Sequence, residues 1–288
     1  MKHSTIAFGP WLGEFGWELM YWHAFVRKKC KDEQIQKPVV CSWCENKHLY
    51  KNTTFYPIYK KDIEPLNTYP NMYFLKYYHS DKKIRDFYNV IKQKIKQQSN
   101  VAEIVDPVEI HESGLLEFGN PRKHQTFEVL KPMLKWQLLN TNTKKPRIVL
   151  FPRFRQQNTQ KNKSAEFWME LIKMLPQYNF VIGGTEGPYF EKFSNIELDS
   201  RTLHGTFANS WIDLQLYLLQ QSNLAVCPES GTIFLALLSN TPTVAFGSER
   251  EKERCAKVEN IFATPIIYIG DREVATSDLA KTIISMLN

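Results

Sequence analysis

The sequence predicts an α/β protein made of two domains, each built on a parallel sheet. Three observations carry that reading. Short apolar runs of strand length alternate with amphipathic runs of helix length, as when residues 147–152 lead to 165–175 and then to 178–182. A strand, a helix and a second strand in succession connect parallel strands. The polar run 140–146, ending in Pro146, is the clearest linker, and 288 residues are enough for two separate cores. The domains expected are residues 1–145 and 146–288.

In the first half, residues 4–8 form an apolar strand that runs into Gly9-Pro10-Trp11-Leu12-Gly13-Glu14-Phe15-Gly16 and then a helix carrying Met20, Trp22, Phe25 and Val26. The glycines permit a turn, but their spacing is not that of a dinucleotide fingerprint. Glu14 and Glu18 lie four apart among Trp11, Trp17 and Trp22. A carboxylate in such an aromatic, partly desolvated setting suits a general base with a raised pKa. Glu14 is the expected base, because a loop acid with glycines close on both sides is an odd structural choice. The alternative is that both acids complement the helix dipole and the tryptophans are core.

Residues 39–43 read as a second strand. Five cysteines form no disulfide framework, and within a regular strand Cys41 would point away from Cys44. Zinc held by these two with Cys30 and His48 is weighed against reduced, partly buried thiols, and the thiols are favoured. The Tyr- and Lys-rich stretch 50–78, broken by Pro57, Pro65 and Pro70, offers a stacking surface for bases or sugar rings, or half-buried packing. A further strand is expected at 73–75 and a helix at 82–98, with Ile84, Phe87, Ile91 and Ile95 as its apolar stripe and lysines 92, 94 and 96 towards solvent. A short strand limited by Pro107, a polar loop over 111–124 and a helix over 127–139 follow.

The second half opens on a buried strand at 147–152. Arg153, Arg155, Lys161 and Lys163 follow that strand and suit a diphosphate, the alternative being a solvated basic loop. Ser164 is placed to cap a helix over 165–175, with Phe167, Trp168, Leu171, Ile172 and Leu175 inward. Residues 178–182 return as a strand into Gly183-Gly184. His204 stands on a loop before a helix over 211–221, where it could face a nucleotide base or sugar. Residues 223–227 then lead into Glu229-Ser230-Gly231-Thr232 and an apolar helix. Backbone N–H groups and hydroxyls at the positive end of that helix outline a phosphate seat, with Gly231 allowing close approach; the alternative is that Ser230 only caps the helix. Strands at 243–247 and 261–269 and a closing helix at 277–287 complete the chain.

Charge divides unevenly. Of the 37 Lys and Arg and 30 Asp and Glu, residues 1–145 hold 23 and 15, so the first half carries +8 and the second −1 within a total of +7. A polyanionic partner on the first half, or a solvated Lys-rich face, accounts for this. No apolar run approaches the ~18 residues of a membrane span. The first residues read as a strand and turn rather than a secretory leader, so a cytoplasmic protein is expected.

The turn at 229–232, its helix and the following Pro242-Thr243-Val244-Ala245-Phe246-Gly247 resemble the donor-domain signature of two-domain (GT-B type) glycosyltransferases, above all the heptosyltransferase-like group. That group has an acidic residue, Thr and Gly at such a turn; here the order is Glu-Ser-Gly-Thr, a match in pattern. Lys163, Ser164, Glu166, Phe167 and Trp168 fit the same group's lysine before a helix that opens on an acid and an aromatic.

The resemblance implies two Rossmann-like domains facing a cleft, the closing helix packing back towards the first. A nucleotide-diphosphate sugar, the co-substrate, would lie on Arg153, Arg155, Lys163, Gly183, Gly184, His204, Glu229, Ser230, Gly231 and Thr232. Trp11, Trp17, Glu18, Trp22 and Arg27 are the expected acceptor side, and Glu14 would deprotonate the acceptor hydroxyl, with no obligatory metal or other cofactor. The leading acceptor is a hydroxymethylated base in DNA, flipped out as in bacteriophage enzymes acting in the host cytoplasm. The reasons are that the chain is compact and lacks a membrane-seeking amphipathic segment. A phosphorylated surface glycan such as lipopolysaccharide core is the alternative, and a non-catalytic nucleic-acid or glycan binding protein on a decayed transferase fold is a third reading.

Overall fold

A computed structural model of the chain describes residues 5–59, 61, 78–99, 101–116, 123–140, 143–155, 159–185, 187, 190 and 193–288. Two compact units divide it, Met1–Phe127 and Glu128–Asn288.

In the first unit β1 (Thr5–Phe8), β2 (Val39–Trp43), β3 (Thr54–Ile58) and β4 (Val101–Val105) form a parallel sheet in the order β3-β2-β1-β4. Ala7, Phe8, Val40 and Cys41 are wholly buried, as a sheet covered on both faces requires. β3 contains Pro57, which an edge strand tolerates, and among the described residues one side of its backbone makes no ladder bonds. The strand expected at 73–75 lies outside the described residues. Helix Lys82–Ser99 buries Tyr88, Ile91 and Ile95, so Tyr88 joins the expected apolar stripe. Lys92 does not run to solvent but reaches Asp106 Oδ2 at 2.5 Å. Asp106 also accepts from Val108 N at 2.8 Å, capping helix Pro107–Glu112 with proline in its first turn. The segment expected to be a polar loop from residue 111 is thus helical at its start.

The second unit has a six-stranded parallel sheet. Its strands are β5 (Arg147–Leu150), β6 (Asn179–Ile182), β7 (Ile196–Asp199), β8 (Leu224–Pro228), β9 (Thr243–Phe246) and β10 (Ile266–Ile269), in the order β10-β9-β8-β5-β6-β7. The chain builds outward from β5 through β7, then returns to β8 and builds the other way, which is the doubly wound Rossmann order with its reversal between β5 and β8. Ser164 caps helix Ala165–Met174 as expected, accepting from Phe167 N at 3.3 Å. Trp168, Leu171 and Ile172 of that helix share one core with Leu279, Ala280 and Ile283 of the closing helix Thr276–Leu287.

Residues 127–139 are not helical. They form no regular element and bend at 133–134 and 139, with Leu130 and Leu139 buried and most other side chains exposed or half-exposed. Buried Asp213, in helix Trp211–Gln220, takes the N–H groups of Met133 at 2.6 Å and Leu134 at 3.0 Å and the indole N–H of Trp136 at 2.8 Å. A carboxylate that collects neighbouring backbone donors competes directly with i to i−4 bonding, and Pro132 supplies no donor of its own.

Candidate functional site

Open parallel sheets bind ligands at the carboxyl ends of the strands where the order reverses. In the second unit that point lies between the loop after β5 and the turn after β8. The residues singled out as donor-binding largely gather there. Arg153 is buried and donates from Nη1 to Asn162 Oδ1 at 2.5 Å. Asn162 in turn donates to the Arg155 carbonyl at 2.8 Å and accepts from Arg155 N at 3.2 Å. One asparagine therefore folds the basic loop back on itself. Lys163 Nζ lies 5.0 Å above the Phe167 ring and 3.3 Å from Glu273 Oε2.

The turn after β8 begins helix Gly231–Leu238. Ser230 stands at its N-cap position without accepting a backbone N–H of the helix; its hydroxyl instead donates to the Pro228 carbonyl at 3.1 Å and meets Thr232 Oγ1 at 2.6 Å. The capping alternative does not describe this side chain. Backbone N–H groups of the first turn, not satisfied by a cap, are what an anion uses at a helix start.

Glu229 is engaged by the protein itself. Lys161 Nζ stands 2.5 Å from Oε1, while Ser248 N donates to Oε2 at 2.9 Å and Arg272 donates from Nε at 3.2 Å and Nη2 at 3.1 Å. Burial alone would raise its pKa, but the hydrogen bond and charge of Lys161 and the Ser248 amide outweigh it and hold the carboxylate at about 2. Gly247 makes this possible: a Cβ there would come within 2.6 Å of Glu229 Cβ and 2.5 Å of the Tyr268 hydroxyl. Arg272 was not signalled by sequence, because it belongs to a loop after a later strand that only the sheet order brings here.

Gly183 and Gly184 end β6, next to β5. A Cβ on Gly183 would lie 2.4 Å from Phe151 Cε1, and Gly184 has φ +94 and donates to Gln215 Oε1 at 2.9 Å. His204 follows β7 at the edge of the sheet, its ring set edge-on to Trp211 at 4.6 Å.

In the first unit the loop after β1 is held at three points. Gly9 N donates to Val105 O at 3.1 Å, Trp11 N to Cys41 O at 3.0 Å, and Trp43 Nε1 to Gly13 O at 3.2 Å. Glu14, at the end of that loop, is half-buried, and its side chain does not cap the helical turn it precedes. Trp17 is half-buried, and its ring lies 5.9 Å from that of Tyr21. Arg27 is half-buried on helix His23–Asp32, where its charge helps to depress the pKa of buried His23.

Three residues expected on the acceptor side are interior. Trp11 and Trp22 stack at 5.7 Å, and Trp22 continues to Phe25 at 5.8 Å, so these rings fill the core because apolar surface gains more there than at a ligand. Glu18 is fully buried: it accepts from Ser42 Oγ, from Tyr50 Oη at 2.6 Å and from Asn46 Nδ2 at 2.6 Å. Desolvation lifts its pKa to about 7 against the pull of those three hydrogen bonds. The raised acid that the sequence suggested thus exists, but it is Glu18 and it faces inward. All five cysteines are free thiols, and burial pushes Cys30 up to about 11.

No protein-family model matches this chain, and no curated protein matches it. Solved structures do. An E. coli ADP-heptose LPS heptosyltransferase II is 13% identical, with 99% of this chain and 98% of that one covered and a TM-score of 0.55. A glycosyl transferase family 9 protein from Veillonella parvula DSM 2008 is 11% identical over 99% and 97%, with a TM-score of 0.56. E. coli heptosyltransferase WaaC with ADP is 9% identical over 98% and 99%, with a TM-score of 0.52. At such identities the likeness is one of fold, and the fold class of this chain is α/β with two Rossmann-like units, of GT-B type.

Proposed function

We propose that this protein is a glycosyltransferase that moves a sugar from a nucleotide-diphosphate sugar to a hydroxyl of a phosphorylated surface glycan. The observation that carries the reading is the convergence at the β5/β8 reversal of a helix start with Arg153 and Lys161, the latter joined to the β8 turn through Glu229. Such a place suits two successive phosphates. Among the similar solved structures, E. coli WaaC has been seen with ADP and with ADP-2-deoxy-2-fluoro heptose, which supports the donor class.

In this reading the acceptor oxygen bonds to the anomeric carbon as the bond from that carbon to the diphosphate breaks. Arg153, Arg155, Lys163 and the amides at Gly231 and Thr232 would receive the charge that develops on the leaving diphosphate. Glu14 would take the acceptor proton. These donors and cations act on a diphosphate without an ion of their own.

The basic first half suits phosphorylated glycan as well as DNA, and the heptosyltransferase likeness supports the glycan. A hydroxymethylated DNA base is the lesser reading. Mass spectrometry of a phosphorylated core glycan and of hydroxymethylcytosine DNA, each incubated with the protein and a panel of ADP- and UDP-sugars, tests both. A sugar-sized gain on the glycan supports the proposal, and a gain on DNA alone overturns its acceptor. Donor binding by neither class of nucleotide sugar would end the transferase reading.

A further inference from the structure

We infer that Arg272, on the loop after β10, is a diphosphate-binding residue, and that Glu229 is a positioning residue holding Arg272 and Lys161 in place for it. The inference rests on the donor reading above and adds to that site a residue from a different strand end.

Its ground is the gathering of two cations from different strand ends on one carboxylate beside a helix start. Glu229 binds Lys161 at 2.5 Å and Arg272 at 3.1 Å, so one carboxylate is set against two cations. Arg153 brings a third cation to the same basic loop. The cluster surrounds the residue two positions before helix Gly231–Leu238. Positive side chains at a helix start oppose the macrodipole, where an anion is favoured. Cations already held at that end by a carboxylate are placed to meet an anion bound at the helix start.

A second observation points to the same turn. Tyr268 is buried to 6% exposure, and its hydroxyl has no hydrogen-bond partner among the described residues. Its hydroxyl and the Glu229 side chain both lie where a side chain on Gly247 would stand, 2.5 Å and 2.6 Å from the position of a Cβ there. Arg272 keeps 36% of its side chain exposed while Glu229 keeps 10%, so the guanidinium can reach a ligand and the carboxylate serves as its anchor. The planar fork of arginine can bond Glu229 on one edge and a phosphate oxygen on another.

Calorimetric titration of the full chain with ADP, inorganic pyrophosphate and adenosine tests this, using wild type, Arg272→Ala, Arg272→Lys and Glu229→Gln. Arg272→Ala should weaken ADP and pyrophosphate roughly 10- to 100-fold, as expected for losing a charged hydrogen-bonding group, and leave adenosine unchanged. Arg272→Lys should recover part of the loss. Glu229→Gln should also weaken pyrophosphate, although it makes the site one charge more positive; a simple charge effect would tighten binding instead. Wild-type pyrophosphate affinity in Arg272→Ala overturns the assignment of Arg272, and tighter binding by Glu229→Gln overturns the positioning role. If wild type binds neither ADP nor pyrophosphate, the donor reading itself fails and takes this inference with it.

Discussion

Lys161 Nζ lies 2.5 Å from Glu229 Oε1, which ties the loop after β5 to the turn after β8 where the strand order of the second sheet reverses. Two segments 68 positions apart in number, 161 against 229, thereby become one site. The distance between them in sequence is why no motif announced the pair.

Glu14→Gln should lower turnover about a hundredfold to ten-thousandfold, the usual contribution of a general base, with donor affinity unchanged. Steady-state kinetics alongside nucleotide titration would show this. Equal turnover in the variant would remove Glu14 from the chemistry.

Glu18 makes stability depend on pH in a defined direction. Its folded pKa of about 7 lies above the ordinary carboxylate value, so folding binds a proton. This stability is fully present below about pH 4.5 and is lost as pH rises through 7. Between pH 5 and 8, Glu18→Gln should gain on wild type by something on the order of 3 kcal/mol in urea unfolding. Parallel wild-type and variant curves across that range would contradict it. Glu229 acts with the opposite sign, its contribution present above the ordinary carboxylate range and lost as pH falls towards 2.

Asp213→Asn should destabilise the second unit by about 2–3 kcal/mol, since an amide nitrogen would face donors that now share the two carboxylate oxygens. Unfolding monitored by tryptophan fluorescence would report both the stability and the release of Trp136.

Gly183→Ala should cost roughly 1–3 kcal/mol from overpacking, because the added carbon would meet Phe151 at 2.4 Å and Gln215 Oε1 at 2.8 Å. Thermal melting checks it; a variant as stable as wild type would mean that Phe151 moves aside freely.

Much of the sheet framework was legible because buried parallel strands are continuous apolar runs, as at Ile148-Val149-Leu150 and Leu224-Ala225-Val226. β3 was hidden by Pro57 on an edge, and β7 by side chains that are only half-buried. Residues 127–139 were expected to be helical, yet Asp213 claims the backbone N–H groups of Met133 and Leu134. Periodicity cannot register a carboxylate eighty positions away, from Met133 to Asp213. The basic loop and the β8 turn were read as chemistry from residue type, the strand-turn-helix pattern and a family resemblance. Trp11, Trp22 and Glu18 were misplaced because aromatic and acidic residues near a glycine-rich loop look alike in sequence whether they line a ligand or fill a core. Only burial separates the two.

The most direct measurement is a crystal structure of the protein soaked with ADP. The account predicts the diphosphate at the start of helix Gly231–Leu238, within hydrogen-bond distance of the Gly231 or Thr232 amide and of Arg153 or Arg272. Density for ADP elsewhere in the molecule, with that turn unoccupied at saturating nucleotide, would contradict it.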